Sequence, residues 1–288
     1  MKLAATDFDG TFAPHRQPVP ASNIEAVAKW QAAGNKFGIC TGRGLSLIEF
    51  ELRKYPALHP DYLVCNNGAV IVNDKREFLS SLCFAETLVK GMLRLPLIRQ
   101  TKNPMRLLTE TDMYLLDAGS STEFGLVIPM ETLTFERAAS MEKVVQLSMR
   151  CESVEEAEAV TAEVTKAFPE VIGNINRNYI DFNLKDANKR DGLRRLLEVS
   201  GWQPEETLFI GDDQNDLPAV KYFHGCTVET AEPFMKEAAT KVYPSVGDML
   251  LSHLLGGCEH SRPSSAGPHP ACRRKATAQR AESQAYTG

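Results

Sequence analysis

The sequence predicts an α/β fold in which a parallel-sheet core is interrupted by an inserted α+β domain, and three observations support this prediction. Short apolar runs alternate with helical patterns near the start of the chain and again after residue 188, as is typical of a parallel sheet. About a hundred residues between these regions mix strand-like and helix-like runs without that alternation. Polar residues directly follow several of the apolar runs, where ligands bind in open α/β sheets.

Five short apolar runs are the candidate strands of the core sheet. Each run is four residues long, a length that suits a buried strand bounded by turn residues. We expect the strands to lie side by side, so that the residues after them meet at one edge of the sheet. The runs are Leu3–Thr6, Phe37–Cys40, Tyr62–Cys65, Thr207–Ile210 and Gly225–Val228.

Two segments between these runs carry helix signals. Ser22–Ala33 opens with Ser22 and Glu25 in the spacing of a capping box, and Gly34 follows as a helix-ending residue. Lys189–Ser200 places several leucines on one helical face and is followed by Gly201. Both segments are therefore predicted to be helices that pack against the core sheet.

Residues 79–183 are predicted to form the inserted α+β domain, which leaves residues 1–78 and 184–255 as the parallel-sheet core. Within the insertion, Ser153–Phe168 has the spacing of a capping box and an apolar stripe, so it is predicted to be a helix. The strand-like runs of the insertion are Met113–Leu116, Val144–Met149 and Asn178–Leu184.

Residues 256–288 are predicted to be a disordered tail. Gly, Ser, Pro, His, Arg and Ala dominate this segment, and Tyr286 is its one large apolar residue. Such a composition buries too little apolar surface to offset the entropy lost on ordering. The cysteines and histidines of the tail fit no zinc-finger spacing.

Composition argues against several classes of function. The formal net charge of −5 does not indicate nucleic acid or an anionic membrane as a partner. The sequence contains no run of eighteen apolar residues, and its early charges do not resemble a signal peptide. Seven scattered cysteines without a C-x-x-C pair favour a reducing compartment, so we expect a cytoplasmic protein.

Asp7 and Asp9 stand one residue apart in the motif D-F-D-G-T, directly after the first predicted strand. A carboxylate in this position can attack phosphorus, and a second can move a proton. An acidic turn explains this short motif as well, because Asp-Gly is a common turn dipeptide. The interpretation therefore depends on the motifs that follow.

Two further motifs supply groups that bind anions. Thr41, Gly42 and Arg43 follow the second strand, where a hydroxyl, backbone N–H groups and a guanidinium can hold phosphate oxygens. Lys189 begins a predicted helix, where its ammonium can neutralise phosphate and carboxylate charge. Each motif alone also fits an ordinary strand end or a solvated helix start.

The fourth motif, G-D-D-Q-N-D at residues 211–216, follows the strand Thr207–Ile210. Mg²⁺ takes one or two protein carboxylates and leaves positions for water and phosphate oxygens. Asp212, together with Asp7 from the first motif, meets that requirement. An acidic loop without a cation is the weaker interpretation, because closely packed carboxylates repel one another.

In this order and spacing the four motifs resemble the haloacid dehalogenase (HAD) superfamily of phosphotransferases. The run Asn66-Asn67-Gly68-Ala69 after the third strand, and the insertion between Thr41 and Lys189, resemble its Cof-type branch with a type IIB cap. The resemblance covers about residues 1–255. It implies a Rossmann-like core and a cap domain over the site.

The resemblance also implies a role for each matching residue. Asp7 would be the nucleophile and a Mg²⁺ ligand, and Asp9 would be the general acid and base, with its backbone carbonyl on the metal. Asp212 would be a direct metal ligand, and Asp216 would support the metal or Lys189. The residues implied in binding phosphate or the rest of the substrate are Thr41, Gly42, Arg43, Asn67, Lys189 and Asn215.

These expectations describe a Mg²⁺-dependent phosphatase that hydrolyses small phosphate monoesters, such as sugar phosphates, through an aspartyl-phosphate. The partner is then a small phosphorylated metabolite, and the sequence leaves the oligomeric state open. Two alternatives remain: a phosphohexomutase of the same superfamily, and a regulatory or binding protein that keeps the fold without turnover. The presence of Asp9 favours a phosphatase or a mutase, because an alkoxide leaving group needs an acid.

Overall fold

The computed structural model describes residues 1–117 and 130–256, and its strands form two sheets. The predicted tail lies outside the described residues, apart from Gly256. The strands are β1 Leu3–Thr6, β2 Lys36–Cys40, β3 Tyr62–Cys65, β4 Val70–Asn73, β5 Phe78–Ser81, β6 Met105–Thr109, β7 Met113–Leu116, β8 Thr132–Leu133, β9 Val144–Arg150, β10 Val171–Asn176, β11 Tyr179–Leu184, β12 Thr207–Ile210, β13 Cys226–Val228 and β14 Lys241–Tyr243.

Ten helices and two 3₁₀ turns accompany these strands in the described part of the chain. The 3₁₀ turns are Asn66–Gly68 and Pro204–Glu206. The helices are α1 Ala21–Ala32, α2 Leu45–Leu52, α3 Glu86–Arg94, α4 Pro96–Arg99, α5 Phe135–Ala138, α6 Val154–Ala167, α7 Lys189–Ser200, α8 Leu217–Tyr222, α9 Pro233–Ala238 and α10 Val246–Gly256. Within the described ranges, no helix is long and apolar enough to span a bilayer.

The first sheet has the strand order β14-β13-β12-β1-β2-β3-β4-β5. Its strands from β14 to β3 pair in parallel, whereas β4 and β5 add an antiparallel hairpin at one edge. All five predicted core strands are present, and the α/β fold class is confirmed. Because β1 and β12 are neighbours, the residues that follow them come together although about 200 positions separate them in the chain.

Helix α1 differs from its prediction at its first turn. It begins at Ala21 with Pro20 as its N-cap, and no side chain caps it. Ser22 therefore lies inside the helix, and the predicted capping box with Glu25 is wrong. The next residue, Asn23, makes tertiary hydrogen bonds. Its side chain donates to the carbonyl of Phe12 and accepts from the N–H of Gly247.

Helix α7 agrees with its prediction at both ends. It runs from Lys189 to Ser200 and ends at Gly201, whose φ is 75°. Its first turn is capped by Asn188, whose side-chain oxygen accepts from the backbone N–H of Asp191 at 3.0 Å. The cap fixes the position at which Lys189 enters the helix.

The second sheet has the order β10-β11-β9-β6-β7-β8 and is built from residues 105–184. The predicted start of the insertion at residue 79 falls within β5, which pairs with β4 in the first sheet, so the chain leaves that sheet only after Ser81. Helix α6 is capped by Ser153, as the sequence predicts, but the Glu156 carboxylate accepts from the N–H of Glu152 instead of closing the box.

The two faces of the second sheet differ in polarity. Leu107, Leu147 and Ile180 from its three central strands pack in one apolar cluster with residues of α3 and α6. Alternating positions on the same strands, such as Arg106 and Asp181, line a cavity together with residues of the first sheet. The polar face of the second sheet thus covers the carboxyl ends of the strands in the first.

Candidate active site

The centre of the candidate site is a buried lysine between two carboxylates. Asp7 directly follows β1, Asp216 follows β12 by six residues, and Lys189 is the first residue of α7. The Lys189 Nζ donates to Asp7 Oδ1 and to Asp216 Oδ1, each at 2.6 Å. Lys189 is 1% exposed, so these two carboxylates supply the charge that its burial requires.

Asp212 joins this cluster from the neighbouring strand end. Its Oδ1 accepts from the Thr11 hydroxyl at 2.5 Å, and its Oδ2 lies 3.4 Å from His15 Nε2. One carboxylate oxygen from each of Asp7, Asp212 and Asp216 lies within 4.8 Å of the others. The fourth predicted metal ligand, Asp9, has its carboxylate outside this cluster.

Burial controls the protonation of the acidic cluster. It raises the pKa of Asp7 to about 7, with Lys189 opposing the rise and Asp216 and Asp9 adding to it. Burial, aided by the charge of Asp7, also raises the pKa of Asp212 to about 7, and the pKa of Asp216 is raised for the same main reason. The pKa of Lys189 is raised by the charges of Asp216 and Asp7, which outweigh the effect of its burial.

The donor set of this cluster fits a hard divalent cation. Mg²⁺ prefers oxygen ligands, and the three carboxylates supply closely spaced oxygens in a site where burial, with repulsion between the acids adding to it, raises the pKa of each acid. A cation would relieve that repulsion. Asp216 already accepts several hydrogen bonds: Oδ1 accepts from Lys189, and Oδ2 accepts from the backbone N–H groups of Asp212 and Asp213.

Asp9 lies above the cluster and pairs with Arg43. The guanidinium donates to both Asp9 oxygens, from Nε at 2.7 Å and from Nη2 at 2.6 Å. The Asp9 side chain is 47% exposed, in contrast to the buried Asp7. Arg43 also lies over the Phe8 ring, with its Cζ 5.2 Å from the ring centroid. The two hydrogen bonds from Arg43 hold the Asp9 carboxylate at the rim of the cavity.

Thr41 and Gly42 form the turn after β2. Thr41 is 1% exposed, and its hydroxyl oxygen accepts from the backbone N–H of Arg43 at 3.1 Å. Asp181 and Asn67 lie close to Gly42 because it has no side chain. A Cβ at this position would lie 3.2 Å from Asp181 Oδ2 and 3.3 Å from the Asn67 amide. This turn is thus narrow, polar and close to Asp7.

Asn67 and Asn215 link the first sheet to the second. The Asn215 Nδ2 donates to Asn67 Oδ1 at 3.2 Å, and the Asn67 Nδ2 donates to Asp181 Oδ2 at 3.0 Å. Asn67 has a left-handed backbone with φ 54°, a conformation that Asn tolerates better than most residues. The predicted Asn67 therefore contacts Asp181 and Asn215 beside the cavity, while Asn215 lines the cavity itself.

The cavity above Asp7 has a volume of about 350 Å³. The structure brings six predicted site residues to its wall and places Lys189, Asp212 and Asp216 directly behind Asp7. The predicted residues that line it are Asp7, Asp9, Thr41, Gly42, Arg43 and Asn215.

Sequence reasoning missed the residues that the second sheet contributes. Arg106, Gln146, Tyr179 and Asp181 also line the cavity. Polar residues at every second position of a predicted strand, as in Tyr179-Ile180-Asp181, were the available signal, because they indicate a strand with one polar face. Thr11 was missed as well, although it belongs to the first motif and donates to Asp212.

Comparison with known proteins identifies the family. The model of the haloacid dehalogenase-like hydrolase family matches residues 4–249. A Bacillus subtilis (strain 168) protein with the name "Putative phosphatase YxeH" is 25% identical over 264 residues, which are 88% of this chain and 97% of that protein.

Solved structures show the same fold. One is the HAD subclass IIB sugar phosphatase BT4131, with 23% identity and a TM-score of 0.73 over 90% of this chain and 99% of that one. Another is the phosphatase BT1666 of Bacteroides thetaiotaomicron, with 19% identity and a TM-score of 0.73 over 89% of this chain and 95% of that one. Both likenesses concern the arrangement of the elements.

Proposed function

This chain belongs to the haloacid dehalogenase-like hydrolase family, and on that premise we propose that it is a Mg²⁺-dependent phosphatase acting on small phosphate monoesters such as sugar phosphates. One observation carries the proposal. The Asp7 carboxylate stands at the cavity wall with Lys189 hydrogen-bonded to one of its oxygens at 2.6 Å. A carboxylate held by a buried cation beside an anion-binding turn suits nucleophilic attack on phosphorus.

Asp7 and its neighbours perform the first step. An Asp7 oxygen forms a bond to phosphorus while the bond from phosphorus to the leaving oxygen breaks, which yields an aspartyl-phosphate. The Lys189 ammonium and the turn at Thr41 and Gly42 hold the phosphoryl oxygens, so charge that develops there meets fixed positive groups and dipoles. Asp216 keeps Lys189 in place through its second hydrogen bond.

Asp9 moves the protons of both steps. It protonates the leaving oxygen in the first step, then accepts a proton from the water that attacks the aspartyl-phosphate and releases inorganic phosphate. Its partly exposed carboxylate lies on the cavity wall, within reach of a leaving group there. Arg43 orients this carboxylate and must release at least one of its oxygens for the transfer.

Asp7 and Asp212 would hold Mg²⁺, assisted by Asp216 and by the backbone carbonyl of Asp9. When bound, the metal neutralises negative charge on the phosphoryl group and its carboxylate neighbours. The close carboxylate oxygens and the raised pKa of Asp212 support this assignment. Thr11 orients Asp212 by donating to one of its oxygens, and His15 lies 3.4 Å from the other.

A small metabolite suits the cavity between the two sheets. The second sheet lies over Asp7 and leaves a space of about 350 Å³, which accommodates a phosphorylated sugar. The cysteines of the described residues are all free thiols, which supports the proposed cytoplasmic location. They are Cys40, Cys65, Cys83, Cys151 and Cys226.

Phosphate release from p-nitrophenyl phosphate and from a panel of phosphorylated metabolites tests the proposal. We expect turnover with Mg²⁺, none with excess chelator, and none for Asp7→Asn, whose amide is not a nucleophile. Asp213→Asn on the Asp212 loop is the matched control and is expected to retain activity, because the Asp213 carboxylate accepts from the backbone N–H of Gln214 in its own loop and an amide oxygen can do the same. Turnover by Asp7→Asn, or full activity with chelator, contradicts the proposed function.

A further inference from the structure

Asp181 lines the cavity on the side of the second sheet and has no part in the proposed chemistry. Asp181 lies on β11, and its Oδ1 accepts from the Ser148 hydroxyl at 2.6 Å while its Oδ2 accepts from Asn67 at 3.0 Å. Part of its surface lines the cavity, although protein atoms surround the group. Burial raises the pKa of Asp181, and Ser148 and Arg106 oppose that rise.

Asp181 lies directly above the turn that is proposed to hold phosphate. Its Oδ2 would be 3.2 Å from a Cβ placed on Gly42, which is a tight contact. Because Gly42 has no Cβ, the space between Asp181 and the turn is free of side-chain atoms of residue 42. The part of a substrate next to the phosphoryl group must therefore pass close to this carboxylate. Ser148, Asn67 and Gln146 donate to this carboxylate, and an ionised carboxylate has about four acceptor positions, so it can also accept a hydrogen bond from a substrate hydroxyl.

The neighbours of Asp181 are suited to hydroxyl groups. Arg106, Ser148 and Asp181 are in register across three strands. The Gln146 side chain donates to the Ser148 hydroxyl at 2.8 Å, and that hydroxyl donates to Asp181, so the carboxylate is oriented by a chain of hydrogen bonds. Tyr179 adds an aromatic ring with a polar end to the same wall.

The charges on the cavity wall leave little attraction for a second anionic group. The basic residues among the described lining residues are Arg43, which is paired with Asp9, and Arg106, whose charge interacts with that of Asp181. A metal and one phosphate dianion would offset each other. A second phosphate or a carboxylate on the substrate would then meet Asp181 without a surplus cation.

We propose that Asp181 is a specificity-determining residue that selects monophosphate esters of neutral polyhydroxyl compounds. It accepts hydrogen bonds from hydroxyl groups of the leaving group and repels a second anionic group. This inference rests on the proposed phosphatase function and narrows its substrate class. It also disfavours the phosphohexomutase alternative, whose turnover depends on a sugar bisphosphate.

Matched substrate pairs test this selection. Glucose 6-phosphate and 6-phosphogluconate differ at the carbon farthest from the phosphate, and glycerol 3-phosphate and 3-phosphoglycerate form a shorter pair. We expect kcat/KM of the wild-type enzyme to favour the neutral member by about tenfold or more, because its hydroxyl can donate to the Asp181 carboxylate whereas the carboxylate of the other member is repelled. Asp181→Asn should reduce that ratio by about tenfold.

The control is Asp112→Asn, which removes a carboxylate from the exposed turn between β6 and β7 of the same sheet. It should keep the wild-type ratio. If Asp181→Asn does not fold, Ser148→Ala replaces it, because this change removes one of the two hydrogen bonds that orient the carboxylate.

Each outcome separates this inference from the function on which it rests. Equal wild-type turnover of both members of a pair, or an unchanged ratio in the Asp181 or Ser148 variant, overturns the inference. Hydrolysis of p-nitrophenyl phosphate without hydrolysis of either neutral compound also counts against it and leaves the phosphatase function standing. No turnover of any phosphate ester, with Mg²⁺ present, defeats both.

Discussion

The two acids of the first motif occupy different environments although one residue separates them. Asp7 is 5% exposed and hydrogen-bonded to Lys189, whereas Asp9 is about half exposed and paired with Arg43. The buried acid faces a cation that favours its ionised, nucleophilic form, and the exposed acid can exchange protons with water. This difference matches the two roles that the proposed reaction requires.

Replacing Asp9 should affect esters according to their leaving groups. We expect Asp9→Asn to lower kcat/KM for an alkyl phosphate by about 100-fold or more, because an alkoxide needs a proton as it departs. The loss with p-nitrophenyl phosphate should be clearly smaller, since p-nitrophenolate departs without one. Steady-state kinetics of the wild-type enzyme and of Asp9→Asn on both esters measure this difference, and equal losses would argue against Asp9 as the general acid.

The acidic cluster should make stability depend on pH and metal together. The pKa values of Asp7 and Asp212 rise from 3.8 to about 7 on folding, so the folded protein holds more protons than the unfolded chain between these values. Stability without metal therefore falls as pH rises through this window. Metal binding requires the deprotonated carboxylates, so the affinity for the metal increases as pH rises through this window.

We therefore expect the rise in Tm on adding Mg²⁺ to be larger at about pH 8 than at about pH 6. Thermal unfolding with and without Mg²⁺ across this range measures the difference. Asp212→Asn provides the comparison, because removing one proposed ligand should weaken the metal-dependent rise at both pH values. A rise in Tm that is the same at every pH would contradict the carboxylate assignment.

Single residues differ in how visible they are in the sequence. Asp7 and Asp212 could be predicted because each follows an apolar strand within a short polar motif, and parallel strands bring such ends together. Asp181 and Arg106 were not identified as site residues, because polar residues within a strand indicate a polar face without indicating what that face covers. Only the position of that sheet over the first shows that they face Asp7.

At the scale of elements, the position of Lys189 depends on how α7 packs against the turn Asn66–Gly68. A Cβ on Gly192 would lie 2.6 Å from the Cα of Gly68 and 3.0 Å from Val64 Cγ1. The helix and the turn therefore meet through backbone atoms. Gly192 comes three residues after Lys189, so a displacement at this contact moves the lysine as well.

Gly192→Ala should consequently lower both stability and activity. The added methyl meets backbone that cannot move aside, and overpacking of this kind costs about 1–3 kcal/mol, more than the gain of about 1 kcal/mol in helix propensity. Val199→Ala is the control on the same helix, since Val199 is exposed and Ala favours helix. A melting curve and kcat for each variant test this, and a Gly192→Ala enzyme with wild-type Tm and kcat would contradict the packing argument.

Elements were predicted where local signals and tertiary contacts agree. Helix α7 was predicted at both ends because a polar cap, an apolar face and Gly201 all coincide. Helix α1 was misjudged at its start, because Pro20 fixes an extended backbone where the helix begins and places Ser22 beyond the capping position. The hairpin of β4 and β5 was missed, since β5 is a partly exposed edge strand.

At the scale of the whole molecule, the two sheets meet through polar contacts at the site. Asn67 donates to Asp181 on one side of the cavity. On the other, Arg177 in the turn between β10 and β11 lies 2.9 Å from His15, whose ring is also close to Asp212. The second sheet is therefore linked directly to residues that surround the proposed phosphate and metal sites.

This arrangement implies selection by size. The chain leaves the first sheet after Ser81, and after the second sheet it enters α7 at Lys189, so two connections join the second sheet to the rest of the chain. A site covered in this way admits a small molecule, whereas a phosphorylated side chain on a folded protein would require the second sheet to move away. The sequence predicts hinges for substrate entry near residues 74–79 and 183–188. Because residues 78–81 form β5 of the first sheet, we propose that the first hinge lies at 82–85 instead.

We expect kcat/KM to be far larger for a small phosphate monoester than for a phosphoprotein. The sharpest comparison uses N-acetyl-phosphoserine amide and a folded protein that carries a surface phosphoserine, because both present the same leaving group with different bulk around it. A denatured form of the same phosphoprotein controls for access to the residue. If the second sheet only stabilises the first and leaves the site open, the small compound and the folded protein are hydrolysed equally well. If it covers the site during turnover, the small compound is preferred and denaturing the protein substrate recovers only part of the difference.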